Sequence, residues 1–196
     1  MNYWASHAAT EMWRKWDAKV VDEDLRVLSE NGMRLLRVFP NWADFQPIHA
    51  CYLSAGRWNE VYETRMFDSE EVLPDTPCGR AGVDERMVER FEEFCDMAEK
   101  HSIRLIVPLL TGQMTFRNYI PPALANRDPY SDPYALMWEA RYLECMVARL
   151  KDKKAIVAWE SGNEARVLGD SKGSAMSEAW LRYIHQTIRL ADPSRP

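Results

Sequence analysis

The run Trp159-Glu160-Ser161-Gly162-Asn163-Glu164 sets two carboxylates, an amide and an indole at the end of a short apolar stretch, AIVAWE (155–160). A carboxylate at the mouth of a buried strand suits general acid and base work, because neighbours that exclude water raise its pKa toward the operating pH. An amide one residue earlier can hydrogen-bond a hydroxyl beside the reacting carbon, a contact that strengthens in the transition state. The plain alternative is a helix cap, since Asn followed by a first-turn acid is common and needs no chemistry. Of the two carboxylates Glu164 is the expected acid. Glu160 comes four residues earlier and is expected deeper in the fold, or at its rim on the wrong layer.

Such residues need a scaffold, and the chain alternates helical patterns with short apolar runs. Over 18–30 (AKVVDEDLRVLSE) Val21, Leu25 and Leu28 share one helical face, and Asn31-Gly32 follows as a C-cap signal. MRLLRVF (33–39), closed by Pro40, predicts a buried strand. Residues 83–100 return to helical spacing, with Met87, Phe91, Phe94 and Ala98 inward, and IRLIVPLL (103–110) is a second strand. Leu136, Ala140, Leu143, Val147 and Leu150 mark a helix over 134–150, and AIVAWE is the third strand. Trp180, Ile184, Thr187, Ile188 and Ala191 mark a last helix over 175–191. Long loops at 41–82 and 111–133, and a shorter one at 161–174, all follow strands, whereas the connections before strands are short. Parallel α/β folds build their sites from loops at strand C-terminal ends, which is where Glu164 falls. A doubly wound sheet fits the alternation too, but no Gly-rich phosphate turn follows any strand. Without repeats or linker-like stretches, residues 1–196 read as one domain.

Bulk properties narrow the partners. The 196 residues are short of the roughly 250 typical of a complete (β/α)8 barrel. A net charge of -5 and a pI near 5.5 argue against nucleic acid. No stretch has the roughly 18 uncharged apolar residues of a membrane span. The start, MNYWASHAAT, shows no signal peptide, so localisation stays open between the cytoplasm and, if a leader precedes this segment, secretion. No Cys or His spacing suits zinc, so no metal is expected. Cys95 and Cys145 read as small buried hydrophobes, while Cys51 and Cys78 read as two reduced thiols, or as a pair that could bond in an exported protein. Eight Trp and eight Tyr suit stacking on the C–H faces of sugars, and equally suit core packing. The run Asp22-Glu23-Asp24 and the pair Glu92-Glu93 read as solvated helix faces.

Taken together, an Asn-Glu pair closing a Trp-containing apolar strand after two earlier βα units resembles the fourth strand of the clan A glycoside hydrolases. The likeness is nearest to family 5, the cellulase family, with its mannanase- and glucanase-like members. Asn2-Tyr3-Trp4-Ala5-Ser6 resembles the mouth of the first strand, Arg34 to Trp42 the second with its terminal Arg37, and Leu110-Thr111-Gly112-Gln113-Met114 the end of the third. The resemblance implies an α/β fold, a partial (β/α)8 TIM barrel of roughly the first four βα units, with 1–196 as the N-terminal part of one catalytic domain.

It also implies a retaining hydrolase of a β-glycan or β-glycoside. Glu164 would be proton donor and then base, Asn163 would hold the 2-hydroxyl, and Arg37 would stabilise a partner carboxylate. Trp4 and Trp42 would be sugar platforms, with Trp159 in the barrel core. Gln113 stands where many relatives have His, so a His-specific role there is not carried over. His7 and His49 fall in strand-end loops beside the substrate, and His101 and His185 are structural or solvated. No cofactor is implied, because glycosidic cleavage needs two carboxylates, about 5 Å apart in retaining enzymes. The nucleophile belongs to the seventh strand and has no counterpart here. By itself the chain is therefore expected to be inactive, marginally stable or self-associating through unpaired sheet edges. The alternative functions are a non-catalytic carbohydrate-binding remnant, or an unrelated α/β protein whose Asn163-Glu164 merely caps a helix.

Overall fold

The computed structural model describes residues 1–49, 66–67, 69–168 and 174–196. In chain order the elements are β1 (Asn2–Tyr3), α1 (Ala18–Glu30), β2 (Leu35–Val38), α2 (Trp42–Phe45), β3 (Ile48–His49) and β4 (Met66–Phe67). Then come α3 (Pro77–Arg80), α4 (Glu85–Lys100), β5 (Arg104–Leu110), β6 (Gln113–Met114) and β7 (Arg117–Asn118). Helix α5 (Pro133–Leu150), β8 (Ile156–Gly162), a 3-10 turn (Ala165–Val167) and α6 (Ser174–Ala191) complete the chain. One parallel sheet runs β1-β2-β5-β8, so consecutive βα units lie side by side in an α/β fold.

Three of the long helices packed on this sheet share one starting device. Asp17, Asp84 and Asp132 each accept backbone N–H bonds from the first turn of α1, α4 and α5, offsetting donors that the helix leaves unpaired. Helix α1 buries Val21 and Leu25 as expected and stops at Asn31, with Gly32 at φ +83°. Helix α4 buries Val88 in place of the expected Met87, together with Phe91, Phe94, Cys95 and Ala98. Trp13 ties these layers together: its ring stacks on Phe91 at 5.0 Å, meets Phe45 edge-on at 5.3 Å, and donates its Nε1 hydrogen to the Phe39 carbonyl.

Helix α5 departs from the simple stripe. Leu143, Val147 and Leu150 are buried, but so are Ala135, Trp138, Glu139, Tyr142, Cys145 and Met146, while Leu136 and Ala140 are only half-buried. The cause is packing on several sides at once, against β5, α6, α3 and α4, so one face no longer describes it. One contact is covalent: Cys145 of α5 is disulfide-bonded to Cys78 of α3, across a Cα–Cα distance of 5.6 Å. This corrects both readings of Cys78, as a reduced thiol or as a partner of Cys51, which lies outside the described residues, and Cys145 is no free thiol.

The acidic segments are also better employed than solvated faces would be. Asp22 accepts from Lys100 and His101, Asp24 from Tyr3 and the Ser6 amide, Glu92 from Arg149, and Glu93 from the Trp16 indole.

Glu139 is fully buried between α5 and α6, takes one hydrogen bond from the Trp180 indole, and its other oxygen has no partner among the described residues. Desolvation pushes its carboxyl up to about 8. The folded state therefore holds this proton over a range where the unfolded chain has lost it. Stability should fall as pH rises from the unfolded value near 4.5 to about 8, with a limiting slope of about 1.4 kcal/mol per pH unit. Urea midpoints measured across that range should show the decline, and Glu139→Gln should flatten it; a pH-independent midpoint in the parent protein contradicts this reading.

Candidate active site

The sheet has two unlike faces, because side chains alternate along each strand. Leu36, Val38, Leu105, Val107, Leu109 and Trp159 point one way and are buried. Arg37, Ile106, Ala158 and Glu160 share the other face and are partly open, consistent with the register Arg37↔Ile106, Ile106↔Ala158 and Pro108↔Glu160. Arg37 on β2 therefore reaches across β5 to β8. Its Nε and Nη2 donate to the same oxygen of Glu160, at 2.7 and 2.5 Å. Its Nη1 donates to Asn163 Oδ1 at 2.9 Å. Asn163 Nδ2 in turn donates to the Gln113 carbonyl at 3.0 Å. Because Arg has no acceptor and a carbonyl no donor, these two contacts fix which end of the Asn163 amide faces which way. The other Nδ2 hydrogen faces Met114 Sδ at 3.9 Å, a weak acceptor that a hydroxyl could replace.

Glu164 follows immediately. Its backbone is left-handed (φ 49°, ψ 39°), a conformation that costs a non-glycine residue roughly 1–2 kcal/mol. The turn is held from behind: the Val167 amide donates to the Glu164 carbonyl at 3.0 Å, and the Tyr130 hydroxyl donates to the Ala165 carbonyl. The carboxylate itself is exposed, with no hydrogen-bond partner among the described residues. Sequence reasoning expected shielding by neighbours, and the described residues do not supply it.

The remaining candidates divide. Trp42 is a correction: its indole is fully buried, donates to Gln46 Oε1 at 2.7 Å, and packs beside Gly112, so it cannot present a face to a sugar. Trp4 stays half-buried, stacked on Phe39 at 5.1 Å, with Arg37 on Phe39 at 4.7 Å. Gln113 contributes its backbone carbonyl to the Asn163 amide, a part no side-chain motif reveals. Glu160 sits on the Arg37 face of β8 as that guanidinium's partner, a role that sequence reasoning assigned to no residue of this chain. Trp159 is buried and donates to Asp192 Oδ2. His7 is exposed, with Nε2 2.7 Å from the Lys15 carbonyl oxygen, and His49 is exposed. Among the described residues no group of three or more His, Cys, Asp or Glu is placed to hold a metal ion.

Gly162 is the joint between strand and site. A methyl group there would lie 2.1 Å from the Leu110 carbonyl oxygen, in the register pair Leu110↔Gly162. Gly162→Ala should part β5 from β8 just below Asn163 and cost about 1–3 kcal/mol, read as a lowered thermal midpoint; an unchanged midpoint contradicts the close approach.

No protein-family profile matches the chain. Over 179 residues, 89% of this chain and 35% of the relative, it is 26% identical to a probable mannan endo-1,4-beta-mannosidase F of Aspergillus flavus. Among solved structures it is similar to an exo-beta-1,4-mannosidase from an Opitutaceae bacterium, with a TM-score of 0.77 at 23% identity, covering 98% of this chain and 30% of that one. It superposes equally well, at 0.77 and 21% identity, on the GH5_18 protein of Streptomyces cattleya solved with GlcNAc, covering 100% of this chain and 42% of that one. The chain spans about a third of the length of the curated relatives first matched.

Proposed function

We propose that the chain belongs to glycoside hydrolase family 5, that it forms the first four βα units of that family's barrel, and that it supplies the acid/base half of a retaining β-glycosidase site acting on a mannan-like β-glycan. The observation that carries this reading is the Asn163 amide, locked between Arg37 and the Gln113 carbonyl, directly before an exposed carboxylate at a strand end. A sugar whose 2-hydroxyl accepts from Asn163 Nδ2, replacing the weak Met114 sulfur contact, brings its glycosidic oxygen toward Glu164. Glu164 protonates that leaving oxygen, then removes a proton from the incoming water. Arg37, held by Glu160 and Asn163, keeps a remaining guanidinium N–H for a second carboxylate, which in this reading comes from outside residues 1–196. Trp4 is the remaining tryptophan candidate for a sugar platform. The substrate class follows the mannosidase names of the relatives.

The test is hydrolysis by the full-length protein of β-mannan, cellulose and simple aryl β-glycosides, with the first-formed anomer followed by NMR. Release of β-configured mannose ends supports the reading. Inverted product, or saccharide binding without turnover, overturns it, the latter in favour of a non-catalytic carbohydrate binder. Residues 1–196 in isolation should turn over nothing and self-associate through the outer edges of β1 and β8. A cooperative monomeric melt with measurable turnover contradicts that.

A further inference from the structure

Strands β6 and β7 pair as Gln113↔Asn118 and Met114↔Arg117, leaving Thr115 and Phe116 as a two-residue turn. Both turn residues are left-handed, at φ 49° and 62°. This is the backbone that Asn-Gly adopts readily and that a β-branched or aromatic residue adopts at a cost. Yet the Phe116 ring is 99% exposed. The fold gains nothing from that side chain and bears an unfavourable turn to display it.

The place of the display is the second observation. The hairpin grows from the residues that hold Asn163: the Gln113 carbonyl accepts from Asn163 Nδ2, and Met114 Sδ lies 3.9 Å from the same nitrogen. Two residues beyond Met114, the Phe116 Cα is at most about 7 Å further along. The hairpin base is fixed, with the Tyr119 amide donating to Gly112, the Tyr119 carbonyl accepting from the Ala43 amide, and Arg117 reaching Thr10 Oγ1 at 3.3 Å. A bare aromatic face thus stands at the tip of a braced arm whose base holds the Asn163 amide.

We infer that Phe116 is a sugar-stacking platform for a hexopyranose unit of the β-linked chain, next along from the unit at Asn163 and Glu164. The inference rests on the hydrolase reading. An apolar ring face matches the C–H face of a pyranose, and a turn strained into position keeps that face out of the hydrophobic core.

The experiment uses the full-length protein and compares Phe116→Ala, Phe116→Trp and the double change Thr115→Asn with Phe116→Gly, which installs the preferred turn. The double variant should melt at the same or a higher temperature. Its KM for mannohexaose should rise about tenfold, with KM for a simple aryl β-mannoside unchanged; Phe116→Trp should restore the parent value. Equal KM values for both substrates in all variants, with the parent active, overturn the platform and leave the hydrolase reading standing. Loss of folding or of oligomeric state in Phe116→Ala, without a change in the KM ratio, overturns it in favour of a contact with another segment or a second copy. A parent that neither cleaves nor binds any mannan overturns both.

Discussion

Replacing Glu164 by Gln in the full-length protein is expected to lower kcat on mannan by about a thousandfold, within the range that a positioned general acid/base contributes. The carboxylate is exposed and makes no hydrogen bond among the described residues, so its replacement by an isosteric amide should leave the melt within about 0.5 kcal/mol of the parent. Saccharide affinity, followed through Trp fluorescence, should change little, because Asn163 and Arg37 keep their mutual bond. Wild-type turnover by the variant would remove Glu164 from the chemistry. A thousandfold loss accompanied by a matching loss of stability would reduce it to a residue the turn needs.

The second large effect concerns stability. Cys78 and Cys145 are 67 residues apart in sequence, and bonding them closes a loop that the unfolded chain would otherwise leave open. For a loop of that length the chain-entropy account gives about 4 kcal/mol. Cys78→Ser with Cys145→Ser, or reduction of the parent, should lower the urea midpoint accordingly, because it frees α3 from α5. Peptide mapping of unreduced protein should recover the two cysteines in one linked fragment; recovery as separate alkylated thiols contradicts the pairing. A disulfide of this kind persists in oxidising compartments, so the mapping also bears on whether the protein is exported.

What could be read beforehand was what is local. The periodicities of α1, α4 and α6 and the apolar runs of β2, β5 and β8 lie within single segments, and most of their burial follows from them, although α4 buries Val88 in place of Met87 and Leu35 of β2 is exposed. The Asn163-Glu164 pair was legible for the same reason. Trp42 was misjudged because its burial depends on Gly112, a residue seventy positions later that packs against the indole edge. The Arg37–Glu160 bond requires knowing that β5 separates β2 from β8 and that their registers put both side chains on one face. The Cys78 partner was missed because a sequence separation of 67 carries no local signal. The β6–β7 hairpin was hidden because Thr115-Phe116 lacks the Asn or Gly that marks such a turn. Apart from that local turn, the missing information was a long-range contact.

The central claim is that Glu164 moves the proton at the leaving oxygen, and the most direct measurement is the leaving-group dependence of Glu164→Ala in the full-length protein, with and without azide. A dinitrophenyl β-mannoside departs without protonation, whereas a mannan chain does not. If Glu164 is the acid/base, the variant loses mannan turnover and keeps most of its first-step rate on the activated substrate. Azide, fitting where the carboxylate was, then speeds the second step and yields β-mannosyl azide. Equal losses on both substrates with no azide acceleration would contradict the assignment.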